Sequence, residues 1–382
     1  MHKIALIGAT GSVGSAVLRV VETYPQVFSL YSAAAYRNIE KLINICKKFN
    51  VKNAYLYESK KYDIDKNDVF GINLKTGSET LEEIVCDPNV DKVIFASSGV
   101  ASLKALILAL KSGKEVLIAN KESLIVGGKW IKESIRYDNQ LLPLDSEHNA
   151  IWLCLGKSCR PSDVRRMFIT ASGGPFLNYP LEALSEVKPK EALKHPVWQM
   201  GNKITIDSAT MMNKGLEIIE ASILFNMPID RIEGFIHPES RIHGGVEFID
   251  GSVCLAAFYP DMFLPTLYAL SYPQRLNVPA VERPLELGTL NLKQIDEKRY
   301  PCYFVAIEAA RMGGAYPALL VGADEEAVNL YIKELIAFTE IPGLIRKALD
   351  SYKGEEPQTL EDAVELVNIG RTLVEEQFKK YL

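Results

Sequence analysis

Three runs of this 382-residue chain carry side chains whose types and spacing can do chemistry. Asn120-Lys121-Glu122-Ser123 follows a predicted parallel strand, the end at which open α/β sheets place ligands. Leu144-Asp145-Ser146-Glu147-His148 also stands just past a predicted strand. In extended backbone Asp145 and Glu147 would point the same way and could reach one hard cation. The third run, Asp207-Ser208-Ala209-Thr210-Met211-Met212-Asn213-Lys214-Gly215-Leu216-Glu217, is expected to pass from a strand into a helix, on which Asn213 and Glu217 are i and i+4. Oxygen ligands alone select Mg²⁺ or Mn²⁺ over zinc. An acidic pair on a loop is usually just solvated, and His148 reads as a neighbour of such a site rather than a ligand. Ser172-Gly173-Gly174-Pro175, with Ser208, Asn213 and Lys214, offers hydroxyl, amide and ammonium donors for a phosphate. An isolated Ser-Gly-Gly would read better as turn chemistry. Residues 194–202, with His195, Trp198, Met200 and a glycine at 201, have no secondary-structure period. Exposed Trp and Met cost solvation unless they cover something, so this run reads as a lid over substrate or as a loop tucked into the core.

Gly8-Ala9-Thr10-Gly11-Ser12-Val13-Gly14 directly follows the first predicted strand and opens the first helix. Glycines so placed allow a tight turn, close approach of backbone N–H groups to a pyrophosphate, and close helix–strand packing; the helix N-terminus adds partial positive charge. The spacing is GxxGxxG rather than GxGxxG, but the context of strand before and helix after favours a dinucleotide over a bare turn. The second strand runs on into Ala35-Tyr36-Arg37-Asn38, with an arginine and without the acid that would hold a ribose 2′-hydroxyl. A guanidinium there can pair with a 2′-phosphate, so NADPH is favoured over NADH; the plainer reading of Arg37 is a solvated surface residue.

The elements that must position these groups fall into regions. Up to residue 149, strands at 4–7, 28–34, 92–96, 115–119 and 141–144 alternate with helical patterns at 12–23 and 100–111, the signature of βαβ units and a parallel, Rossmann-like sheet. Residues 150–271 read as an α+β domain with a mixed sheet: strands at 167–170, 204–206 and 235–237, a hairpin of 246–249 and 253–258 turning at Asp250-Gly251, and a helix at 213–226. A proline-rich connection is expected at 272–300 and a helical bundle at 301–382, with helices at 303–311 and 325–338. The last helix is opened by Thr359-x-x-Asp362, with an apolar stripe through Leu360, Val364, Val367, Val374 and Phe378. The fold class is therefore α/β, with a second mixed-sheet domain and a helical tail.

Composition bounds the partners. With 43 basic and 48 acidic residues the net charge is −5, which argues against a nucleic-acid binder. No apolar run approaches the ~20 residues that cross a bilayer, and the N-terminal apolar stretch is too short for a signal peptide. Six cysteines are scattered without a CxxC pair, and are expected to be reduced, mostly buried thiols of a cytoplasmic protein, with a reservation for the neighbours Cys154 and Cys159.

Taken in order and at these intervals, GATGSVG, ANKES, LDSEHNA, ASGGPF, HPVWQMG and DSATMMNKGLE resemble the 1-deoxy-D-xylulose 5-phosphate reductoisomerase family. The resemblance implies an NADPH- and divalent-metal-dependent enzyme (Mg²⁺ or Mn²⁺, with Co²⁺ a further candidate) of non-mevalonate isoprenoid synthesis. Such an enzyme rearranges 1-deoxy-D-xylulose 5-phosphate and reduces it to 2-C-methyl-D-erythritol 4-phosphate. Residue by residue it implies NADPH contacts at Gly8, Thr10, Gly11, Ser12 and Val13, with Tyr36, Arg37 and Asn38 at the adenosine end and Asn120, Glu122 and Gly201 near the nicotinamide. It implies Asp145, Glu147 and Glu217 as metal ligands and Ser172, Ser208, Asn213 and Lys214 as the phosphate pocket, with His195 beside it. Lys121 and Ser146 would contact the reacting part of the substrate, Lys121, Glu147, His195 and Trp198 would serve catalysis, and Trp198 and Met200 would form the lid. Tyr36 stands where many relatives have a small residue; an aromatic there could stack on adenine. The family implies a homodimer with its active site in the central domain. Two competing readings of the residues are another NADP-dependent dehydrogenase, such as one resembling homoserine dehydrogenase, and a non-catalytic NADPH sensor.

Overall fold

A computed structural model describes residues 1–58, 68–69, 71–77, 79–156, 160–193, 201–278 and 288–380. Among them the chain divides into two compact units: 1–149 with 261–282, and 150–260 with 283–382.

The first unit is built on β1 (His2–Ile7), β2 (Phe28–Ala35), β3 (Asn53–Leu56), β4 (Asp68–Val69), β5 (Ile72–Thr76), β6 (Lys92–Phe95), β7 (Glu115–Ile118) and β8 (Leu141–Pro143). They form one sheet in the order β4-β5-β3-β2-β1-β6-β7-β8, parallel except for the short edge strand β4. The central strands are apolar on both faces: Ile4, Leu6, Val93, Ile94, Phe95, Val116, Leu117 and Ile118 are fully buried. That is the pattern of a parallel sheet covered by helices. The covering helices are α1 (Ser12–Thr23), α2 (Ile39–Phe49), α3 (Thr80–Cys86), α4 (Leu103–Lys111), α5 (Lys121–Ser134) and the start of α6 (Ser146–Leu155). Strand order reverses between β1 and β6, the switch point at which such sheets bind ligands.

The second unit holds β9 (Val164–Ala171), β10 (Ile232–Ile236), β11 (Ile242–Phe248), β12 (Val253–Ala257) and β13 (Lys293–Gln294), in the order β12-β11-β9-β10-β13. Only β9 and β10 run parallel, so the sheet is mixed as expected. The β11–β12 hairpin turns at Gly251, which takes the left-handed φ of +86°. The helices are α7 (Pro189–Ala192), α8 (Asn202–Thr210) and α9 (Met212–Phe225); α10 (Phe263–Ser271), which belongs to the first unit, comes next in the chain. They are followed by α11 (Pro301–Met312), α12 (Tyr316–Ile332), α13 (Ile341–Ser351) and α14 (Leu360–Lys379). One core joins sheet and helices, including Met167, Ile169, Ile218, Ile232, Val246, Tyr300 and Tyr303.

The structure departs from the sequence reading in several places. Residues 204–206 are helical, inside α8, not a strand. Three β-branched residues give no decisive period, and Thr205 Oγ1 donates back to Gly201 O at 2.9 Å while Lys203 and Asp207 pair at i and i+4. The helix expected at 325–338 starts at Tyr316, with Pro317 in its first turn, where proline is compatible with a helix start. Residues 261–278 are part of the first unit rather than of a middle domain and linker. Arg19 forks onto Asp261 with two 3.0 Å bonds, and the Tyr24 hydroxyl donates to Asn277 O at 2.7 Å. The C-terminal region is helical, as expected, and residues 288–380 fall with the mixed sheet in one unit. The terminal helix has its expected capping box, Thr359 Oγ1 accepting from Asp362 N and Asp362 Oδ2 from Thr359 N, but its buried stripe runs Ala363, Leu366, Val367, Gly370, Val374. Among the described residues no helix is long and apolar enough to cross a membrane. Of the five described cysteines, all free thiols, Cys46 and Cys302 are buried, Cys154 and Cys254 half-buried and Cys86 exposed; Cys159 lies outside the described residues.

Candidate active site

In the first unit the glycine loop occupies the switch point. Gly8 has φ +89°, and a Cβ there would stand 2.5 Å from the Ala96 carbonyl carbon at the end of β6. A Cβ on Gly14 would stand 2.4 Å from Gly8 O, so this glycine lets α1 close onto its strand. Gly11 is different: its φ of −83° suits any residue and an added Cβ meets nothing closer than 3.4 Å. It is the N-cap of α1 and supplies no side-chain acceptor, which leaves the first turn's N–H groups, at Ser12 and Val13, for an anion. That fits a dinucleotide pyrophosphate beside Thr10.

Beyond β2, Tyr36, Arg37 and Asn38 are exposed. Asn38 caps α2, its Oδ1 accepting from Lys41 N at 3.0 Å. Lys41, which the sequence reading passed over, donates from Nζ to Thr10 O at 2.7 Å and so braces the loop from α2. A cation four residues after Arg37 in the first helical turn was the available signal. Asn120 is fully buried and structural: it caps α5 by accepting from Ser123 N at 2.9 Å, and its Nδ2 donates to Gly99 O at 2.8 Å and to Ser102 Oγ at 3.2 Å. Glu122 is half-buried in the same first turn.

Asp145 ends the β8 connection and Glu147 lies in the first turn of α6, so their proximity comes from a helix start and not from extended backbone as expected. A carboxylate oxygen of each lies within 4.8 Å of the other's. The Lys121 Nζ, on a nearly buried side chain, is 3.3 Å from Asp145 Oδ2, and His148 Nδ1 is 3.9 Å from Asp145 Oδ1. Burial alone would raise the Asp145 carboxyl; Lys121 and His148 outweigh it and hold it well below the usual carboxylate range. Ser146, also buried, donates from Oγ to Glu147 Oε2. Two anionic oxygens with an ammonium beside them suit a hard divalent cation and an oxygen-rich substrate.

The second unit supplies a separate polar face. Ser172 follows β9, and its Oγ accepts from Gly174 N at 3.2 Å. Gly174, at φ +68°, crosses the end of α8 so closely that a Cβ would be 2.9 Å from Ser208 O, which brings the Ser172 turn to Ser208. The turn is held from below by the Tyr300 hydroxyl, donating to Gly173 O at 2.7 Å. Met211, buried and left-handed at φ +62°, breaks the run between α8 and α9 and starts the helix that carries Asn213, Lys214 and Glu217. Glu217 accepts from Asn213 Nδ2 on one oxygen and from Lys214 Nζ on the other; Lys214 and Glu217 are 3% and 2% exposed. Lys203 bonds the buried Asp207 at 2.6 Å and the buried Asp324 from α12, the second of which no local pattern announces. Gly201 is the exposed N-cap of α8. His195, Trp198 and Met200 lie outside the described residues.

Three family models match the chain: the 1-deoxy-D-xylulose 5-phosphate reductoisomerase model over residues 4–128, its C-terminal domain model over 141–225, and the DXP reductoisomerase C-terminal domain model over 258–373. The 1-deoxy-D-xylulose 5-phosphate reductoisomerase of Ralstonia nicotianae is 41% identical over 359 residues, 91% of each chain. That of Leptospira interrogans is 42% identical over 377 residues, 97% of this chain and 96% of the relative. Among solved structures, the Zymomonas mobilis enzyme in complex with NADPH superposes with a TM-score of 0.90 at 35% identity, covering 99% of both chains. A DOX-P reductoisomerase in complex with NADPH, fosmidomycin and magnesium also gives 0.90, at 33% identity over 100% of this chain and 99% of that one. The chain belongs to the 1-deoxy-D-xylulose 5-phosphate reductoisomerase family.

Proposed function

We propose that this chain converts 1-deoxy-D-xylulose 5-phosphate to 2-C-methyl-D-erythritol 4-phosphate with NADPH and Mg²⁺ or Mn²⁺, as a cytoplasmic enzyme of isoprenoid precursor synthesis. The observation that carries this reading is the match of the family models over residues 4–128 and 141–225, which takes in the glycine loop, the Asp145 run and the Asn213–Glu217 helix turn together. In this reading the first turn of α1 receives the pyrophosphate, and Arg37 the 2′-phosphate. Glu122 and Gly201 belong to the nicotinamide half, and Asn120 supports it by capping α5.

Asp145, Glu147 and Glu217 would hold the cation. Bound there, the cation supplies Lewis-acid charge for the substrate oxygens while NADPH supplies the hydride. Ser172, Ser208, Asn213 and Lys214 hold the substrate phosphate through hydroxyl, amide and ammonium donors. Anchoring at that remote group provides binding energy to orient the reacting carbons. Lys121, already against Asp145, positions a substrate oxygen or moves a proton to it. Ser146, hydrogen-bonded to Glu147, contacts the same oxygens. By the family resemblance His195 would stand beside the phosphate pocket and Trp198 and Met200 in the lid; all three lie outside the described residues.

A homodimer goes with this reading. It is supported by β12, an edge strand that together with the preceding hairpin turn exposes Ile249, Val253 and Leu255, an apolar edge that proteins rarely leave bare. Light scattering of the purified chain tests it, and a monomer at micromolar concentration would refute it. The activity is tested by incubating the protein with NADPH and substrate and identifying the product by NMR. Appearance of the branched tetritol phosphate is expected; a product lacking the branch, or none, would overturn the assignment.

A further inference from the structure

We propose that Tyr36 and Tyr57 together form an aromatic platform for the purine of the dinucleotide. The inference rests on the NADPH reading above and extends it to a residue, Tyr57, that sequence inspection did not reveal.

Strands β2 and β3 are parallel neighbours, with Ala35 in register with Leu56. The next residue of each strand is a tyrosine, so the two leave the sheet side by side at its ligand-binding end. Pairing continues past the strands, Tyr57 N donating to Ala35 O at 3.0 Å and Glu58 N to Tyr36 O at 2.8 Å, which fixes both backbones. The rings stack, with centroids 5.4 Å apart and planes inclined by 22°. Tyr36 is nevertheless 55% exposed.

An exposed ring backed by a second ring is a preorganised flat surface: the entropy of fixing it is already spent before a ligand arrives. Its surroundings identify the ligand. Arg37 follows Tyr36 directly, and Lys41 ties the next helix to Thr10 O in the glycine loop. In a doubly wound sheet, a dinucleotide whose pyrophosphate lies on that loop extends its adenosine toward the end of the second strand. A planar base is thereby delivered to the tyrosines, and its phosphate to the cations. Stacking reads the π-face that every base presents, so the platform would contribute affinity rather than discrimination among bases. Discrimination between NADPH and NADH stays with Arg37.

The test is calorimetric titration of the full chain with adenosine 2′,5′-bisphosphate, which carries the purine and the 2′-phosphate but no nicotinamide. Base–aromatic stacking of ordinary strength predicts that Tyr57→Leu weakens this probe roughly 5- to 150-fold. Tyr57→Phe, which keeps the ring, should bind as the wild type does, and Tyr36→Leu, at an exposed position that does not support the fold, should lose as Tyr57→Leu does. Unchanged affinity in both leucine variants, with the wild type binding, would overturn the platform and leave the NADPH reading intact. An equal loss in Tyr57→Phe would assign the effect to the hydroxyl and also overturn it. A wild-type protein that binds neither this probe nor NADPH would fail the cofactor reading itself, and the platform with it.

Discussion

Replacing Lys214 by Met makes a quantitative demand on the second unit. The ammonium and the Glu217 carboxylate are almost wholly buried and paired. Removing one member of such a pair strands the other charge, at a cost of about 3–5 kcal/mol. For a unit of roughly 200 residues, about 2–4 °C of Tm per kcal/mol turns this into a drop of roughly 6–20 °C. Glu217→Gln alone should cost a similar amount, because it strands the ammonium. The double variant removes both charges and keeps both shapes, so it should recover most of the loss, with a coupling of up to about 3 kcal/mol. Circular-dichroism melts of metal-free wild type, both single variants and the double variant measure all four corners. Added Mg²⁺ should narrow the deficit of Lys214→Met in particular, because a cation bound at Glu217 replaces the missing positive charge and stabilises by mass action. A Lys214→Met protein as stable as wild type, or a double variant as weak as the singles, would refute the reasoning.

The two loop glycines that look alike in sequence should behave differently. Gly14→Ala forces a Cβ into Gly8 O and should lower Tm at a cost of about 1–3 kcal/mol; Gly11→Ala should melt like wild type and lose NADPH affinity, as read by a melt and a titration. Arg37→Asp should shift the kcat/KM preference toward NADH, and retained NADPH selectivity would remove Arg37 from the 2′-phosphate. Burial pushes the Tyr300 hydroxyl up to about 12 from its ordinary 10. The folded state thus keeps that proton longer than the unfolded chain, so this stabilisation is complete below pH 10 and is lost as pH rises through about 12. Tyr300→Phe should be less stable than wild type at pH 8, for want of the bond to Gly173 O, and should lose less between pH 9 and 12 in denaturant titrations; parallel pH curves would contradict this.

The first sheet was legible because its strands are short, apolar on both faces and punctuated by glycine, so that Ile4–Ile7, the α1 helix and the β6 and β7 runs stand out without tertiary information. What failed had causes that a short apolar window does not show. Ile204-Thr205-Ile206 is helical because Thr205 bonds back to Gly201 and Lys203 pairs with Asp207, and a three-residue β-branched run cannot reveal either. Helix α10 leaves its sequence neighbours for α1 through Arg19 and Asp261, 242 residues apart. Among the proposed site residues, the types suggest phosphate and cation ligands, but what holds each side chain in place is not readable from them. Asn120 is spent on capping and on tying Gly99 and Ser102, and the Asp145 carboxyl is held below the usual range by Lys121, 24 residues away, together with His148. Lys41 and Tyr57 escaped notice because each acts across neighbouring strands or loops, through contacts that no periodicity encodes.

The proposed reaction depends most on a divalent cation held by carboxylates. The most direct measurement is the initial rate of NADPH oxidation with 1-deoxy-D-xylulose 5-phosphate, on protein stripped with EDTA and then titrated with Mg²⁺ or Mn²⁺. Wild type should be silent when stripped and recover saturably with metal, while Glu217→Gln should stay silent yet still bind NADPH. Turnover that survives complete metal removal, or a fully active Glu217→Gln, would contradict the account.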